Sequence, residues 1–449
     1  MSKIATSGIY DPIEGGVFRY TVDAKWEVPH FEKMLYDNAQ FIEMFAEAYK
    51  QNPKPLYKDL IKETIQFINT RMRDQNGGFY ASVDADNDLG EGRYYMFTKE
   101  EITAIAKNEL SLFCDFYNVD FKRPIEENLY ALKKTYTNIA FINKNNLKNP
   151  EWVLIKEEWD ASIREIMGKR DFPNIDTKII TSWNALTIIG LTKASQALRN
   201  YGWLEDAEKL FNFITNQVYV NETLYHTYQN NSPKIEGFLE DYAFLAQAAL
   251  ELYSSTGNRY YLDWSNELMR TIISDFQDKN TPFFTFKKDN PLLSKIVEVN
   301  DGVMPSANAQ VAHTLFNLGE LLGEKKYVEK ATTMLKGIRS YVETDLSSYS
   351  HWAGLMLKLS FPRFEVIICG ANAEALTAEL QQEHLVNVLI QQSSKKSNLP
   401  LLKNSFNENE TLIYVCKNRV CYSPDKTVEA ALIKTKKNNA EAFIFSNPF

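Results

Sequence analysis

His30 and Asp37, near the start of the chain, place an imidazole and a carboxylate in an otherwise apolar stripe. Pro29 suits the first turn of a helix, so the sequence predicts a helix from about Pro29 through Tyr49. Five residues recur at three- and four-residue steps and therefore share one face of that helix: His30, Met34, Asp37, Phe41 and Met44. Because a buried polar group without a partner is costly, two interpretations stay open, a polar clasp at the helix entrance and the wall of a wet cavity.

Acid–base chemistry on a sugar is the first function that these residue types suggest. A histidine could remove the proton next to an open-chain sugar carbonyl while a second acid returns a proton to the other face. His30 is the predicted base, tuned by a carboxylate such as Asp37 or Glu32. Its partner stays open among the three other histidines that could reach a cleft, His226, His313 and His351.

Paired carboxylates suggest a second chemistry, because glycoside hydrolysis uses one protonated and one ionised acid. The candidate acids fall in two close pairs, Asp84 with Asp86 and Glu240 with Asp241. Trp183 and Tyr242 are the predicted platforms for the face of a sugar ring.

Metal chemistry finds little support in the sequence. Asp84, Asp86 and Asp88 begin like a calcium loop, but Leu89 stands where that loop needs glycine and Tyr95 where it needs a bidentate glutamate. The four cysteines have no zinc-ligand spacing, and Cys416 and Cys421 are predicted to be free thiols at strand ends. We therefore predict no metal and no cofactor.

Polar and aromatic motifs recur where the predicted helices begin. Thr181-Ser182-Trp183-Asn184 opens one helix, and Ser306-Ala307-Asn308 opens another after Pro305. Each motif alone is typical of a helix cap. Five such motifs at equivalent junctions favour a shared cleft.

The elements that carry these residues are helices joined in pairs. Short turns separate Phe41–Tyr49 from Leu56–Arg73, and the pattern recurs through Thr181–Val218, Gly237–Phe276 and Ser306–Val342. Repeated helical hairpins with decorated loops favour a six-hairpin α/α toroid over residues 1–360. After Phe361-Pro362 the pattern changes to a small α/β unit, residues 361–449, with strands over Phe364–Gly370, Leu385–Gln391 and Leu412–Cys416.

Composition excludes several classes of partner. The 449 residues are 44% hydrophobic and 24% charged, with a formal net charge of −8. That balance favours neither nucleic acid nor an anionic membrane surface. The sequence has no apolar run long enough to span a bilayer and begins without the apolar core of a signal peptide, so we expect a cytoplasmic protein.

Taken in order, the motifs resemble those of the YyaL/spermatogenesis-associated thioredoxin-domain family. The resemblance rests on Gly15–Tyr20 with Pro29–Asp37, on Asp84-Ala85-Asp86 with Glu91-Gly92, and on three later runs, Thr181–Leu186, Leu239–Ala243 and Asp301–Asn308. It implies an α/α barrel similar to N-acylglucosamine 2-epimerases and six-hairpin glycosidases. It also implies an N-terminal thioredoxin-like domain and barrel-opening helices, both of which this sequence lacks, so the toroid is expected to be open or to be completed by another chain.

The motifs predict one cleft for a carbohydrate-like ligand, with epimerase or isomerase action as the first hypothesis. The alternatives are a glycoside hydrolase and a non-catalytic recognition scaffold working with a thioredoxin-like domain. We expect either self-association or pairing with a separate N-terminal thioredoxin or helical piece. The predicted catalytic residues are His30, Asp37 and Asp241, and the predicted substrate-binding residues are Arg19, Trp26, Glu32, Asp84, Asp86, Trp183, Asn184, Tyr242 and Asn308.

Overall fold

A computed structural model of the chain describes residues 1–286 and 297–435. The chain divides into two compact units, Met1–Ile179 and Ile180–Phe449. The boundary that the sequence predicts at residue 360 therefore lies inside the second unit and stays a prediction. Positions 436–449 of the predicted C-terminal unit lie outside the described residues.

The first unit combines helices with very short strands. Its helices are α1 (Ser2–Ala5), α2 (Leu35–Gln51), α3 (Pro55–Phe67), α4 (Lys99–Ala106), α5 (Leu110–Phe116), α6 (Asn138–Asn145) and α7 (Asn149–Met167). Its strands are β1 (Tyr20–Thr21), β2 (Pro29–His30), β3 (Lys33–Met34), β4 (Ser82–Val83), β5 (Asp86–Asn87), β6 (Gly90–Glu91), β7 (Met96–Thr98), β8 (Leu129–Ala131) and β9 (Ile175–Asp176). Helices α2 and α3 form the predicted hairpin, and one π-helical turn, Ile68–Met72, extends α3.

The prediction that a helix begins at Pro29 is wrong. Pro29 and His30 pair with Thr21 and Tyr20 in an antiparallel ribbon, and β3 then pairs with β4. Helix α2 begins only at Leu35, whose backbone N–H donates to the carbonyl of Ala81. Proline lacks an N–H and tolerates the extended edge of a ribbon, so strand pairing with a distant segment replaces the helical turn. His30 consequently does not share a helix face with Asp37.

A buried ion pair joins the start of the chain to β3. Lys33 is fully buried, and its ammonium donates to Asp11 at 2.6 Å and to the carbonyl of Gly15 at 2.9 Å. Gly15 has a φ of +80°, and a Cβ there would lie 2.5 Å from the carbonyl oxygen of Glu63. The glycine therefore allows a tight turn that brings its own carbonyl to Lys33.

The second unit is built from consecutive helical hairpins. The pairs are α8 (Thr181–Leu198) with α9 (Tyr201–Phe213), α10 (Leu239–Thr256) with α11 (Arg259–Thr271), and α12 (Ala307–Leu322) with α13 (Lys325–Thr344), followed by α14 (Ser350–Ser360). Strand β10 (Ile179–Ile180) precedes α8, and strands β11 (Tyr219–Val220), β12 (Thr223–Gln229) and β13 (Ser232–Glu236) lie between the first two pairs.

Burial distinguishes two layers of helices in this unit. Helix α10 packs against both α8 and α12, and these three helices are buried on nearly all sides. Helices α9, α11 and α13 bury one face each. The predicted mainly α class and the hairpin repeat of an α/α toroid are confirmed.

A four-stranded sheet follows the hairpins. Strand β14 (Phe364–Cys369) pairs in parallel with β15 (Val388–Ser393) and antiparallel with β16 (Leu412–Lys417), which pairs with β17 (Val420–Cys421). Helix α15 (Ala373–Leu380) packs against this sheet. Cys416 and Cys421 are cross-strand partners and are joined by a disulfide, so the prediction of two free thiols is wrong.

Candidate functional site

The first unit gathers the charged side chains predicted around His30. The Nδ1 atom of His30 lies 2.7 Å from Glu91 Oε1, and its Nε2 atom lies 3.6 Å from Glu32 Oε2. Arg19 donates to the same carboxylate of Glu32 at 2.9 Å. The ring of Tyr20 packs on the imidazole with 4.9 Å between ring centroids. His30 is therefore partnered by carboxylates that the loop and ribbon residues supply.

Asp84 and Asp86 adjoin this cluster. Burial raises the pKa of Asp84, and the charges of Asp86, Glu32 and Asp176 add to the rise. Asp86 is exposed on β5 opposite Glu91 of β6. The structure thus brings into electrostatic range a group of predicted site residues, Arg19, His30, Glu32, Asp84 and Asp86.

Asp37 lines a separate cavity of about 530 Å³ in the same unit. Its Oδ2 atom is buried and has no hydrogen-bond partner within the described part of the chain. Burial raises the pKa of Asp37 to about 7. The positive charge of Arg19 opposes this rise, and the negative charge of Glu32 adds to it. Arg19 and Trp26, two predicted binding residues, line the same cavity.

Asp241 joins three segments of the second unit. Its Oδ1 atom accepts the backbone N–H of Ser182, and its Oδ2 atom accepts the N–H of Phe238 at 2.8 Å. The Nδ1 atom of His226 also lies 2.8 Å from that Oδ2 atom. Asp241 is fully buried, so its geometry is that of a group that positions its neighbours. The catalytic role predicted for it stays a prediction.

The other predicted residues near Asp241 bond to the backbone. The Asn184 amide donates to the carbonyl of Ile180, and the Tyr242 hydroxyl accepts the N–H of Leu224. Both side chains are buried, whereas Trp183 is half-buried at the start of α8. Asn184 and Tyr242 therefore fix local structure.

A larger cavity, about 1180 Å³, lies at the start of α10 and α12. Glu240, the neighbour of Asp241, contributes its side chain to the wall. Burial raises the pKa of Glu240 to about 7, and the charge of Asp241 adds to this rise. A hydrogen bond from the backbone N–H of Glu240 and the charge of His226 oppose it. The charge of Glu298, which lines the same cavity, raises the pKa slightly further.

Asn308 also lines this cavity. Its amide oxygen accepts the N–H of Phe284, and its amide nitrogen donates to the carbonyls of Phe284 and Glu298. Both of those residues line the cavity. Asn308, a predicted binding residue, thus fixes the backbone of two residues of the wall.

Two histidines lie together on α12 and α14. The Nε2 atom of His313 lies 2.8 Å from the carbonyl oxygen of His351, and the two rings pack with 4.5 Å between centroids. Burial lowers the pKa of His313 well below its usual range and that of His351 to about 4. Both are therefore neutral at physiological pH.

The sequence pairs Glu240 with Asp241, and the catalytic role predicted for Asp241 is not tested by its position in the structure. Side chains of successive helical residues point about 100° apart, so Asp241 can cap the start of α10 while Glu240 points toward the cavity. An acid at the third helical position is a capping signal, and it could have assigned the buried role to Asp241. Glu298 and the bond between His226 and Asp241 carried no signal in the sequence.

Among the described helices, none combines the length and apolar character needed to cross a bilayer. Residues 1–286 and 297–435 contain no cluster of three or more His, Cys, Asp or Glu side chains arranged to hold a metal ion.

Comparison with known proteins gives distant relatives. The chain is 27% identical over 470 residues to an uncharacterised protein of Caenorhabditis elegans, covering 96% of this chain and 64% of that protein. It is 25% identical over 483 residues to spermatogenesis-associated protein 20 of Mus musculus, covering 94% of this chain and 60% of that protein. The chain thus spans about three fifths of the length of these curated relatives.

Solved structures give a weaker likeness. A cellobiose 2-epimerase from Bacillus thermoamylovorans matches with a TM-score of 0.46 and 13% identity, over 74% of this chain and 67% of the epimerase. No family model matches the chain. These comparisons support one part of the predicted resemblance, the relation to proteins named spermatogenesis-associated protein 20.

Proposed function

We propose that the larger cavity of the second unit binds a carbohydrate-like, polyhydroxylated ligand and that Glu240 exchanges a proton with it. One observation carries the proposal: a half-buried carboxyl group whose pKa lies at about 7 is part of the wall of a cavity of about 1180 Å³. A group with a pKa near the working pH can both take up and release a proton.

The cavity wall suits a ligand with both hydroxyl groups and apolar C–H faces. Phe238, Phe284 and Phe286 offer aromatic surface, while Glu240, Glu298 and Asn300 offer hydrogen-bonding groups. A mostly apolar cleft with a few convergent polar groups is the usual form of a small-molecule site, and the volume is ample for a disaccharide.

Isomerase or epimerase action is the reaction that we propose first. Glu240 would remove the proton next to the sugar carbonyl, and His226 is the second acid–base group. The ring of His226 packs on Phe238 at 4.7 Å, and its charge lowers the pKa of Glu240. Asp241 then acts as a positioning residue that orients the imidazole. His30 belongs to the other unit, and this proposal does not use it.

Glycoside hydrolysis is the second candidate, and Glu298 favours it. Glu240 and Glu298 place two carboxyl groups in one wall, and a pair of carboxyl groups is what the cleavage of a glycosidic bond requires. The recognition scaffold with a thioredoxin-like partner differs from both reactions, because it requires binding without conversion.

A panel of reducing sugars and aryl glycosides tests these proposals. We expect the chain to bind and interconvert at least one reducing sugar, and Glu240→Gln to slow conversion by about 100-fold or more while binding stays within about threefold. Glu205→Gln is the matched control, because Glu205 is an exposed residue of α9 in the same unit.

Three results separate the alternatives. If the chain releases the aglycone and Glu298→Gln abolishes that release, the reaction is hydrolysis and not epimerisation. Binding without conversion would favour the recognition scaffold. If the folded chain binds no sugar of the panel, the proposal of a carbohydrate-like ligand is wrong.

A further inference from the structure

The smaller cavity, in the first unit, has no part in the proposed function. Its wall comes from the start of the chain, from the loop before β2 and from one face of α2. Most of the lining side chains are apolar or aromatic, and they include Phe18, Trp26, Phe41 and Met44. Its volume of about 530 Å³ falls within the range of small-molecule sites.

Several charged groups around this cavity are paired with other side chains. Arg19 donates to Glu32 at 2.9 Å, and Glu47 lies 2.6 Å from the ammonium of Lys50. The Oδ2 atom of Asp37, in contrast, is buried without a hydrogen-bond partner in the part of the chain that the structure describes. A buried carboxylate oxygen without a donor is costly, so a ligand that supplies a charged donor would gain the most there.

Aromatic rings add a second preference for a cation. The loop that carries Trp26 is fixed by Asp23, whose carboxylate accepts the backbone N–H groups of Lys25, Glu27 and Val28. Phe18 is held edge-on by Phe31 and Tyr95. Rigid aromatic faces beside a carboxylate attract an organic ammonium group.

We propose that this cavity binds a small primary amine with an apolar body, whose ammonium group donates to Asp37 Oδ2. The apolar side chains of the wall would cover the hydrocarbon part of the ligand. This site is independent of Glu240 and of the proposed carbohydrate site.

Binding of a cation should release a proton, because the ammonium favours the ionised carboxylate. The pKa of Asp37 lies at about 7, and the charged or titratable groups that face it are Arg19, Glu32, Tyr36, Glu43 and Glu47. About half a proton per ligand should be released near pH 7, and close to none near pH 8.5.

Calorimetry with 2-phenylethylamine as the probe tests the proposal on the full chain. The titration is repeated in buffers of different ionisation enthalpy, which gives the number of protons released. We expect one amine per chain, and Asp37→Asn should weaken binding at least about tenfold. Asp59→Asn, which removes an exposed carboxylate of α3 in the same unit, and Glu240→Gln should each stay within about twofold.

The neutral analogue 2-phenylethanol separates the charge from the apolar contacts. It should bind at least about tenfold more weakly than the amine and with equal affinity to the original chain and to Asp37→Asn. The proposal is overturned if the folded chain does not bind the amine, if Asp37→Asn binds it equally well, or if binding near pH 7 releases no proton. Failure here leaves the Glu240 proposal intact, since the two cavities belong to different units.

Discussion

The Oδ2 atom of Asp241 lies 2.8 Å from the Nδ1 atom of His226, while the same carboxylate accepts backbone N–H groups at the starts of α8 and α10. One buried side chain therefore joins two inner helices to β12. The carboxylate satisfies three donors that would otherwise be buried without an acceptor.

Replacing Asp241 by alanine should destabilise the chain by about 3–5 kcal/mol, because it leaves those donors unpaired. Urea unfolding measures the loss. Asp241→Asn should cost less, since its amide oxygen can still accept. Glu240→Gln, one residue away, should instead raise the free energy of unfolding by up to about 3 kcal/mol near pH 7, because it removes a carboxyl group whose pKa is raised from 4.5 to about 7 by burial. Equal losses for Asp241→Ala and Glu240→Gln would contradict the assigned roles.

Asp37 should make the chain less stable as the pH rises. The folded-state pKa of about 7 exceeds the usual 3.8, so the folded chain holds a proton that the unfolded chain has lost. Stability therefore falls between about pH 4 and pH 7 and stays low above that range. Asp37→Asn should be more stable than the original chain near pH 8, by up to about 4 kcal/mol, and the difference should vanish near pH 4. A difference that does not vary with pH would refute the burial of an unpaired carboxylate.

The His351 imidazole should have the opposite effect. Its folded-state pKa of about 4 lies below the usual 6.5, so the unfolded chain takes up a proton that the folded chain excludes. Stability is fully present above about pH 6.5 and is lost as the pH falls toward 4. The free energy of unfolding of the original chain, taken relative to that of His351→Gln, should fall by up to about 3 kcal/mol over that range. Parallel pH profiles for the two chains would show that the ring is not held neutral.

Lys33 and Asp11 should depend on each other. Lys33→Met leaves the carboxylate of Asp11 buried without its cation, which should cost about 3–5 kcal/mol of unfolding free energy. Lys33→Met combined with Asp11→Asn should recover part of that loss, because no isolated charge remains. A double-mutant cycle measures the coupling, and strictly additive losses would mean that the ion pair contributes nothing.

The helical hairpins could be predicted from sequence because the periodicity that specifies them is local. Helices α8, α10 and α12 lie within two residues of their predicted starts. The structure around His30 could not be predicted in this way, because it depends on pairing with Tyr20. Strand β3 likewise depends on pairing with β4, almost fifty residues away. A proline at the start of an apolar stripe is compatible with a helix and with an extended edge, and only the partner strand decides.

The candidate sites were predicted in part. The sequence brought Arg19, Trp26 and Asp37 to one cleft, and the structure places all three around one cavity. It could not separate Glu240 from Asp241, because the positions of Ser182 and Phe238 decide which acid is buried. The disulfide between Cys416 and Cys421 likewise depends on the register of β16 with β17.

Hydrogen exchange at carbon measures proton transfer between Glu240 and a bound sugar. The chain is incubated in D2O with each reducing sugar that it binds, and deuterium next to the carbonyl carbon is measured by NMR. We expect the original chain and Glu205→Gln to introduce deuterium at that carbon, and Glu240→Gln to do so at least about 100-fold more slowly. Bound sugars that gain no deuterium, or gain it equally fast with Glu240→Gln, would contradict proton transfer by Glu240.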